Sequence, residues 1–133
     1  MTRNFRELLE ARWAEGKHVC VGLDSEFTRL PATVRDRISK EDSIFEFNRA
    51  IVDATHDLVV AYKPNIAFYE GCDDGAGEDD GVGEMALLET IQYILDVVPG
   101  VPVILDCKRG DIGNTNLGYV ESAFTRFQAD AVT

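Results

Sequence analysis

Residues 103–115 read VILDCKRGDIGNT, an apolar run that ends in Asp106 and continues with Lys108 and Asp111. Opposite charges at the end of a buried strand are costly to desolvate unless they are paired or used. An alternating array of lysine and aspartate is also a preorganised field, able to stabilise charge that develops on a bound molecule. The spacing D-x-K-x-x-D by itself equally fits a surface salt-bridge cluster, worth under about 1 kcal/mol. Position favours chemistry, because the array follows VPVIL directly and precedes a loop leading into a helix. Two further apolar runs, HVCVGLD and LVVAYKP, also finish in charge, at Asp24 and Lys63. If extended geometry persists to residue 108, Asp106 and Lys108 share one face and Cys107 points to the other as a buried, inert thiol. Lys63 and Lys108 put positive charge where a cation would sit, so no metal site is expected. His18 and His56, at a strand start and a helix end, read as structural or exposed.

The elements that must position these charges follow from periodicity. Phe5, Leu8, Leu9 and Trp13 predict a helix over 5–15, followed by a strand at 18–24. TRLPATVRDR reads as loop or irregular turn. Ser39 and Asp42 fit a capping box that opens a helix with Ile44, Phe47, Ile51, Ala54 and Leu58 as its apolar stripe. A second strand is expected at 58–64. The Gly/Asp-rich stretch 71–83 reads as a solvated acidic loop; Gly75 and Gly77 offer no side-chain oxygen where an EF-hand needs one. A helix over 84–98 carries Met85, Leu88, Ile91, Leu95 and Val98. A strand at 101–106, a helix at 113–127 and a strand opening at 129–133 complete the chain.

The order α-β-α-β-α-β-α-β, with continuous apolar strands, predicts an α/β fold with right-handed crossovers and parallel strands covered on both faces. Four βα units are half of a (β/α)₈ TIM barrel, which usually takes about 250 residues. The expectation is one partial domain, the N-terminal half of a barrel, truncated inside its fourth strand, with exposed edges that invite association. The C-terminal ends of such strands are where barrel enzymes gather catalytic groups.

Bulk properties narrow the classes. The 133 residues are 45% hydrophobic and 28% charged, with a net charge of −11. That charge argues against nonspecific nucleic-acid binding, which needs a basic surface. No run approaches the ~18 apolar residues of a membrane span. The charged N-terminus lacks an apolar signal core, and three cysteines form no CxxC pair. A cytoplasmic location with reduced thiols is expected.

Taken together, VILDCKRGDIGNT, VGLDSEFTRLP, FNRAIVDAT and AYKPNIAFYE resemble the orotidine 5′-phosphate decarboxylase family, in its longer bacterial and archaeal branch, from about residue 19 to residue 133. D-x-K-x-x-D alone is shared with related sugar-phosphate enzymes; the added I-G-N-T and the lysine of AYKPN make the resemblance specific. It implies a homodimeric barrel that converts orotidine monophosphate to uridine monophosphate without metal or organic cofactor. It implies that Asp24 and Lys63 bind ribose hydroxyls, Asp106 sits against the substrate carboxylate and Lys108 protonates C6. Asp111, Ile112 and Thr115 would reach across the dimer interface, with Asp111 also orienting Lys108. Two carboxylates about 4 Å apart repel by roughly 4 kcal/mol at an effective dielectric near 20. Relief of ground-state repulsion is the weaker warrant, so the main role falls to Lys108, which its flanking acids keep a proton donor. The resemblance puts the phosphate-gripping segment and the closing loop in the other half of the barrel, so little activity is expected of these residues alone. The rival readings are a related phosphosugar decarboxylase or aldolase, and a non-catalytic nucleotide-binding α/β module.

Overall fold

The computed structural model describes residues 3–36, 39–72 and 81–133. Helix α1 (Phe5–Ala14) starts at Asn4, whose side chain accepts from the backbone N–H of Arg6 and Glu7. Strand β1 (Val19–Leu23) follows. The stretch expected to be irregular forms a 3₁₀ turn, Phe27–Arg29, and a one-turn helix, α2 (Ala32–Arg35). Pro31 immediately precedes α2, where its missing N–H leaves no intrahelical bond unmade. Ser39 caps α3 (Lys40–Thr55), its Oγ accepting from the Asp42 N–H at 3.1 Å. Strand β2 (Val59–Pro64) leads into α4 (Ile66–Glu70), a short helix capped by Asn65 that periodicity does not reveal. The acidic loop falls largely on residues 73–80, outside the described residues; Val82 and Gly83, its last two positions, already belong to α5 (Val82–Val97). Strand β3 (Ile104–Leu105), α6 (Gly113–Val120) and β4 (Ala131–Val132) complete the order. Between α6 and β4 the expected helix widens into a π turn, Glu121–Arg126, with the Phe127 N–H donating to the Ser122 carbonyl.

All strand pairings are parallel. β1 pairs with β2, matching Gly22 to Lys63 and Leu23 to Pro64, and β3 pairs with β4. Single bridges, Tyr62 to Val103 and Asn65 to Asp106, join the two pairs. The strands therefore run β1-β2-β3-β4 in chain order, with their C-terminal ends on one side. The β2 strand is buried almost throughout, as a strand covered on both faces should be. β1 is more open: Val19 is 59% exposed, and among the described residues no strand pairs with the second edge of β1.

The helix faces differ from their expected stripes. In α3 the buried row is Ile44, Asn48 and Val52, flanked by Ser43, whereas Ala54 and Leu58 are exposed. In α5 it is Gly83, Ala86, Leu87, Thr90, Ile91 and Ile94, with Met85 turned to solvent. In α1 the buried residue is Arg12 and Trp13 is half-exposed. The cause is close packing: α3 and α5 lie against each other, and small or internally bonded polar residues fill the tightest rows. Arg12 is satisfied where it lies, donating to the Val59 carbonyl from Nε at 2.8 Å and to the His56 carbonyl from Nη2 at 2.6 Å. His56 is half-buried at the end of α3 and His18 is exposed, as expected. Arg3 binds Asp130 through two 2.8 Å contacts, and Asp130 accepts from the Val103 N–H, so the N-terminal segment fastens β3 to β4.

Gly83 shows how little room this packing leaves, because a Cβ there would overlap the Tyr69 carbonyl at the α4–α5 contact. Gly83→Ala is expected to destabilise the chain by about 1–3 kcal/mol, as overpacking does. Urea denaturation checks this; an unchanged midpoint would show that α5 can move away freely.

Candidate active site

The charged strand ends meet around one carboxylate. Asp106 is 9% exposed at the end of β3 and holds two lysines on different oxygens. Lys63 Nζ, from β2, donates to Oδ2 at 2.8 Å, and Lys108 Nζ donates to Oδ1 at 2.5 Å. Thr133, just past β4, adds a hydroxyl donor to Oδ1 at 2.8 Å. Three neighbouring strands thus converge on a single side chain, which their common direction makes possible. The hydrogen bonds from Lys108, Lys63 and Thr133, in that order, hold the Asp106 carboxyl far below the usual carboxylate range despite its burial. Lys63 is held above its ordinary value, first by its bond to Asp106 and then by the charges of Asp106 and Asp24. Asp24 itself is exposed at the end of β1, on the same side as Lys63.

Lys108 does not reach Asp106 by strand alternation. Its φ of 49° lies in the left-handed region, so extended geometry stops before it. The left-handed turn, rather than the pleat, folds the ammonium back onto Asp106. A non-glycine residue held in that region costs on the order of 1 kcal/mol or more and persists where neighbouring interactions fix it. Cys107 is half-buried rather than buried: it packs against the core but also lines a cavity of ≈ 270 Å³ with Leu105, Tyr119, Val120 and Phe124. Arg109 pairs with Glu70 of α4, tying the same loop to the end of that helix.

The structure does not bring Asp111 into this cluster. Its carboxylate accepts from the Ile112 N–H at 2.8 Å, its own N–H donates to Asn116, and no ion pair joins it to Lys108. Asp111, Ile112 and Thr115 all lie exposed at the start of α6, with Ile112 81% accessible. Thr133 is the residue that sequence reasoning missed; an apolar run ending in a hydroxyl next to the charged strand was its only signal.

Comparison with known proteins bears on this geometry. Residues 17–133 match the model of the orotidine 5′-phosphate decarboxylase / HUMPS family. The chain belongs to that family. It is 44% identical over 131 residues to orotidine 5′-phosphate decarboxylase of Cellvibrio japonicus, covering 98% of this chain and 44% of the relative. The Ralstonia pickettii enzyme of the same name is 48% identical over 130 residues, covering 97% and 44%. Among solved structures, OMP decarboxylase of Leishmania donovani superposes with a TM-score of 0.75 at 35% identity, over 98% of this chain and 43% of that one. The chain thus spans about 44% of the length of the curated relatives it matches. Its parallel α/β architecture is that of the N-terminal half of the family's (β/α)₈ barrel, as expected, and the described strands do not close into a ring. No helix among the described residues is long and apolar enough to cross a membrane.

Because the Asp106 carboxyl is lowered in the folded chain, its contribution to stability is present above the unfolded value near 4 and is lost as pH falls below it toward the lowered one. Asp106→Asn, which leaves Lys63 and Lys108 without their shared counter-charge, should therefore destabilise the chain at pH 5–7 and progressively less at pH 3. Urea midpoints of both proteins across that range provide the check. A stability difference independent of pH would mean that the carboxylate's ionisation contributes nothing.

Proposed function

We propose that this chain carries the charged catalytic face of an orotidine 5′-phosphate decarboxylase, which converts orotidine monophosphate to uridine monophosphate and carbon dioxide. The observation that supports it most directly is the Lys63–Asp106–Lys108 cluster at the ends of adjacent parallel strands, in a chain of this family. The bond from C6 to the carboxylate breaks, its electron pair stays on C6, and carbon dioxide leaves. The Lys108 ammonium then delivers a proton to C6. Before and during bond cleavage the fixed positive charge of Lys108 stabilises electron density growing at C6, with no reorganisation of solvent required. Asp106 is assigned the role of facing the substrate carboxylate, and its bond to the Lys108 Nζ supports a further role in aiming that lysine. Asp24 and Lys63 bind the ribose hydroxyls. No metal or organic cofactor is invoked.

Asp111, Ile112 and Thr115 are proposed to act on a second copy of the chain in a homodimer, where Asp111 reaches the partner's ribose and lysine. Their exposure, and the absence of a contact between Asp111 and Lys108 within one chain, support that reading. Membership of a family of nucleotide-converting enzymes supports a cytoplasmic enzyme acting on a small nucleotide. Residues elsewhere in the relatives' longer chains are proposed to supply the phosphate contacts. Binding energy from such a remote group is what positions a reacting centre.

The test is uridine monophosphate formation by the 133-residue chain and by a fusion of it to the remaining part of the Ralstonia pickettii relative. Turnover is expected in the fusion and little in the chain alone. Lys108→Ala should lower kcat of the fusion by at least about 10²–10⁴-fold, the range for a lost general acid, with its circular dichroism unchanged. Near-normal turnover in that variant would overturn the assigned role. No turnover in a well-folded fusion that still binds uridine monophosphate would favour a non-catalytic nucleotide-binding module.

A further inference from the structure

Behind the charged face lies a second polar cluster that the proposed chemistry does not use. Asn48, which belongs to FNRAIVDAT, and Tyr69, which belongs to AYKPNIAFYE, are both fully buried. Asn48 donates from Nδ2 to the Tyr69 hydroxyl at 3.0 Å and to Thr90 Oγ1 at 2.9 Å, and its Oδ1 accepts from the Ser25 hydroxyl. Tyr69 in turn donates to the Leu23 carbonyl at 2.7 Å, and Thr90 donates to the Ala86 carbonyl. Four elements contribute: the end of β1, α3, α4 and α5. Among the described residues no buried side-chain nitrogen or oxygen lacks a partner, so the network is closed. Burial pushes the Tyr69 hydroxyl well above its ordinary range, which keeps it a donor.

Four buried polar side chains are an expensive way to fill a core, since each must be desolvated and a half-satisfied network is worse than an apolar one. Their placement gives the reason. The two β1-end groups they hold are the carbonyl of Leu23 and the side chain of Ser25, the residues on either side of Asp24. Asp24 points the other way, to the exposed face beside Lys63, and carries no anchoring contact of its own. Tyr69 sits on α4, which begins two residues after Pro64 ends the strand that bears Lys63. The network therefore spans the two strand ends that present Asp24 and Lys63.

We propose that Tyr69 and Asn48 are positioning residues for Asp24: by gripping the Leu23 carbonyl on one side of it and the Ser25 hydroxyl on the other, they fix its carboxylate relative to Lys63 for a sugar hydroxyl. This rests on the decarboxylase reading for the identity of the sugar but not for the grip itself. A carboxylate on a loosely held strand end would need ordering at each binding event, and the network removes that cost in advance.

Two measurements test it. In the 133-residue chain, ¹⁵N relaxation should show the Asp24 and Ser25 amides falling from the rigid range near an order parameter of ~0.85 toward ~0.6 in Tyr69→Phe and in Ser25→Ala. Lys63 should stay rigid in both. In the fusion to the Ralstonia pickettii segment, Tyr69→Phe should raise KM for orotidine monophosphate about tenfold, the scale of one buried hydrogen bond, with kcat within about twofold. In an Asp24→Ala background the same substitution should cause no further loss, because the group it positions is gone. Unchanged order at Asp24 in both variants overturns the proposal, as do equal KM losses with and without Asp24. If the fusion fails to turn over substrate while Asp24 loosens as expected, the decarboxylase reading falls and the grip stands.

Discussion

A single buried carboxylate organises this fold's functional end. Asp106 is shielded from water on most of its surface, so its charge must be met by protein groups, and two lysines and a hydroxyl do so from three adjacent strand ends. That arrangement is possible only if β2, β3 and β4 run parallel with their C-terminal ends level. The bridge from Asn65 to Asp106, together with the bonds Asp106 N–H to the Pro64 carbonyl and Ile66 N–H to the Asp106 carbonyl, sets that level. Contacts from outside the strands hold them in place. Helices α3, α4 and α5 cover the outer face, Arg12 ties α1 to the start of β2, and Arg3 ties the N-terminal segment to β3 and β4 through Asp130. The charges are costly to desolvate singly, but as a bridged set they are mutually compensating.

The residues at the strand ends were legible in the sequence for a simple reason: an apolar run that stops in charge is conspicuous, and the period of a short buried strand leaves few alternatives for where it stops. Asp24, Lys63 and Asp106 lie at strand ends as expected, and Asp106 gathers both lysines, Lys108 from a left-handed turn past the end of β3. The helix faces were not legible in the same way. Asn48 and Thr90 are polar, Gly83 has no side chain and Arg12 is charged, yet all four occupy buried rows. A stripe drawn through apolar residues alone rotates away from them and lands on Met85, Ala54 and Leu58. What misled the pattern was hydrogen bonding that compensates burial, a long-range property no local window contains. The short helices α2 and α4 were hidden likewise, being too brief to show a period. The backbone at Lys108 was the hardest feature to foresee, since left-handed geometry is ordinarily the province of glycine and asparagine.

Two of these misses, Asn48 and Thr90, share a location. Asn48 of α3 and Thr90 of α5 belong to the cluster that ends on Leu23 and Ser25, whereas Ser43 bonds to the Ser39 carbonyl of its own helix cap. Natural sequences violate local rules mainly where function or strain demands it. The outer layer is thus not a generic hydrophobic backing for the sheet. A polar seam within it runs to the strand end that bears Asp24.

Under the proposed function the same charge is given different work in the two lysines. Lys63 lies within a strand, with its side chain 33% exposed, and is bound to Asp106 on one oxygen while facing Asp24. Lys108 lies on a left-handed turn, with its side chain 70% exposed, and meets Asp106 on the other oxygen. A hydroxyl-binding group gains from immobility, because any ordering on binding is lost affinity. A proton donor has the opposite requirement: it must face the reacting atom and then exchange its proton with solvent or a neighbouring acid. A rigid lysine in a covered strand suits the first task, and an accessible lysine at the strand's last turn suits the second. Asp106 gives both a common electrostatic reference, so that one buried charge sets the position of the fixed group and the aim of the accessible one.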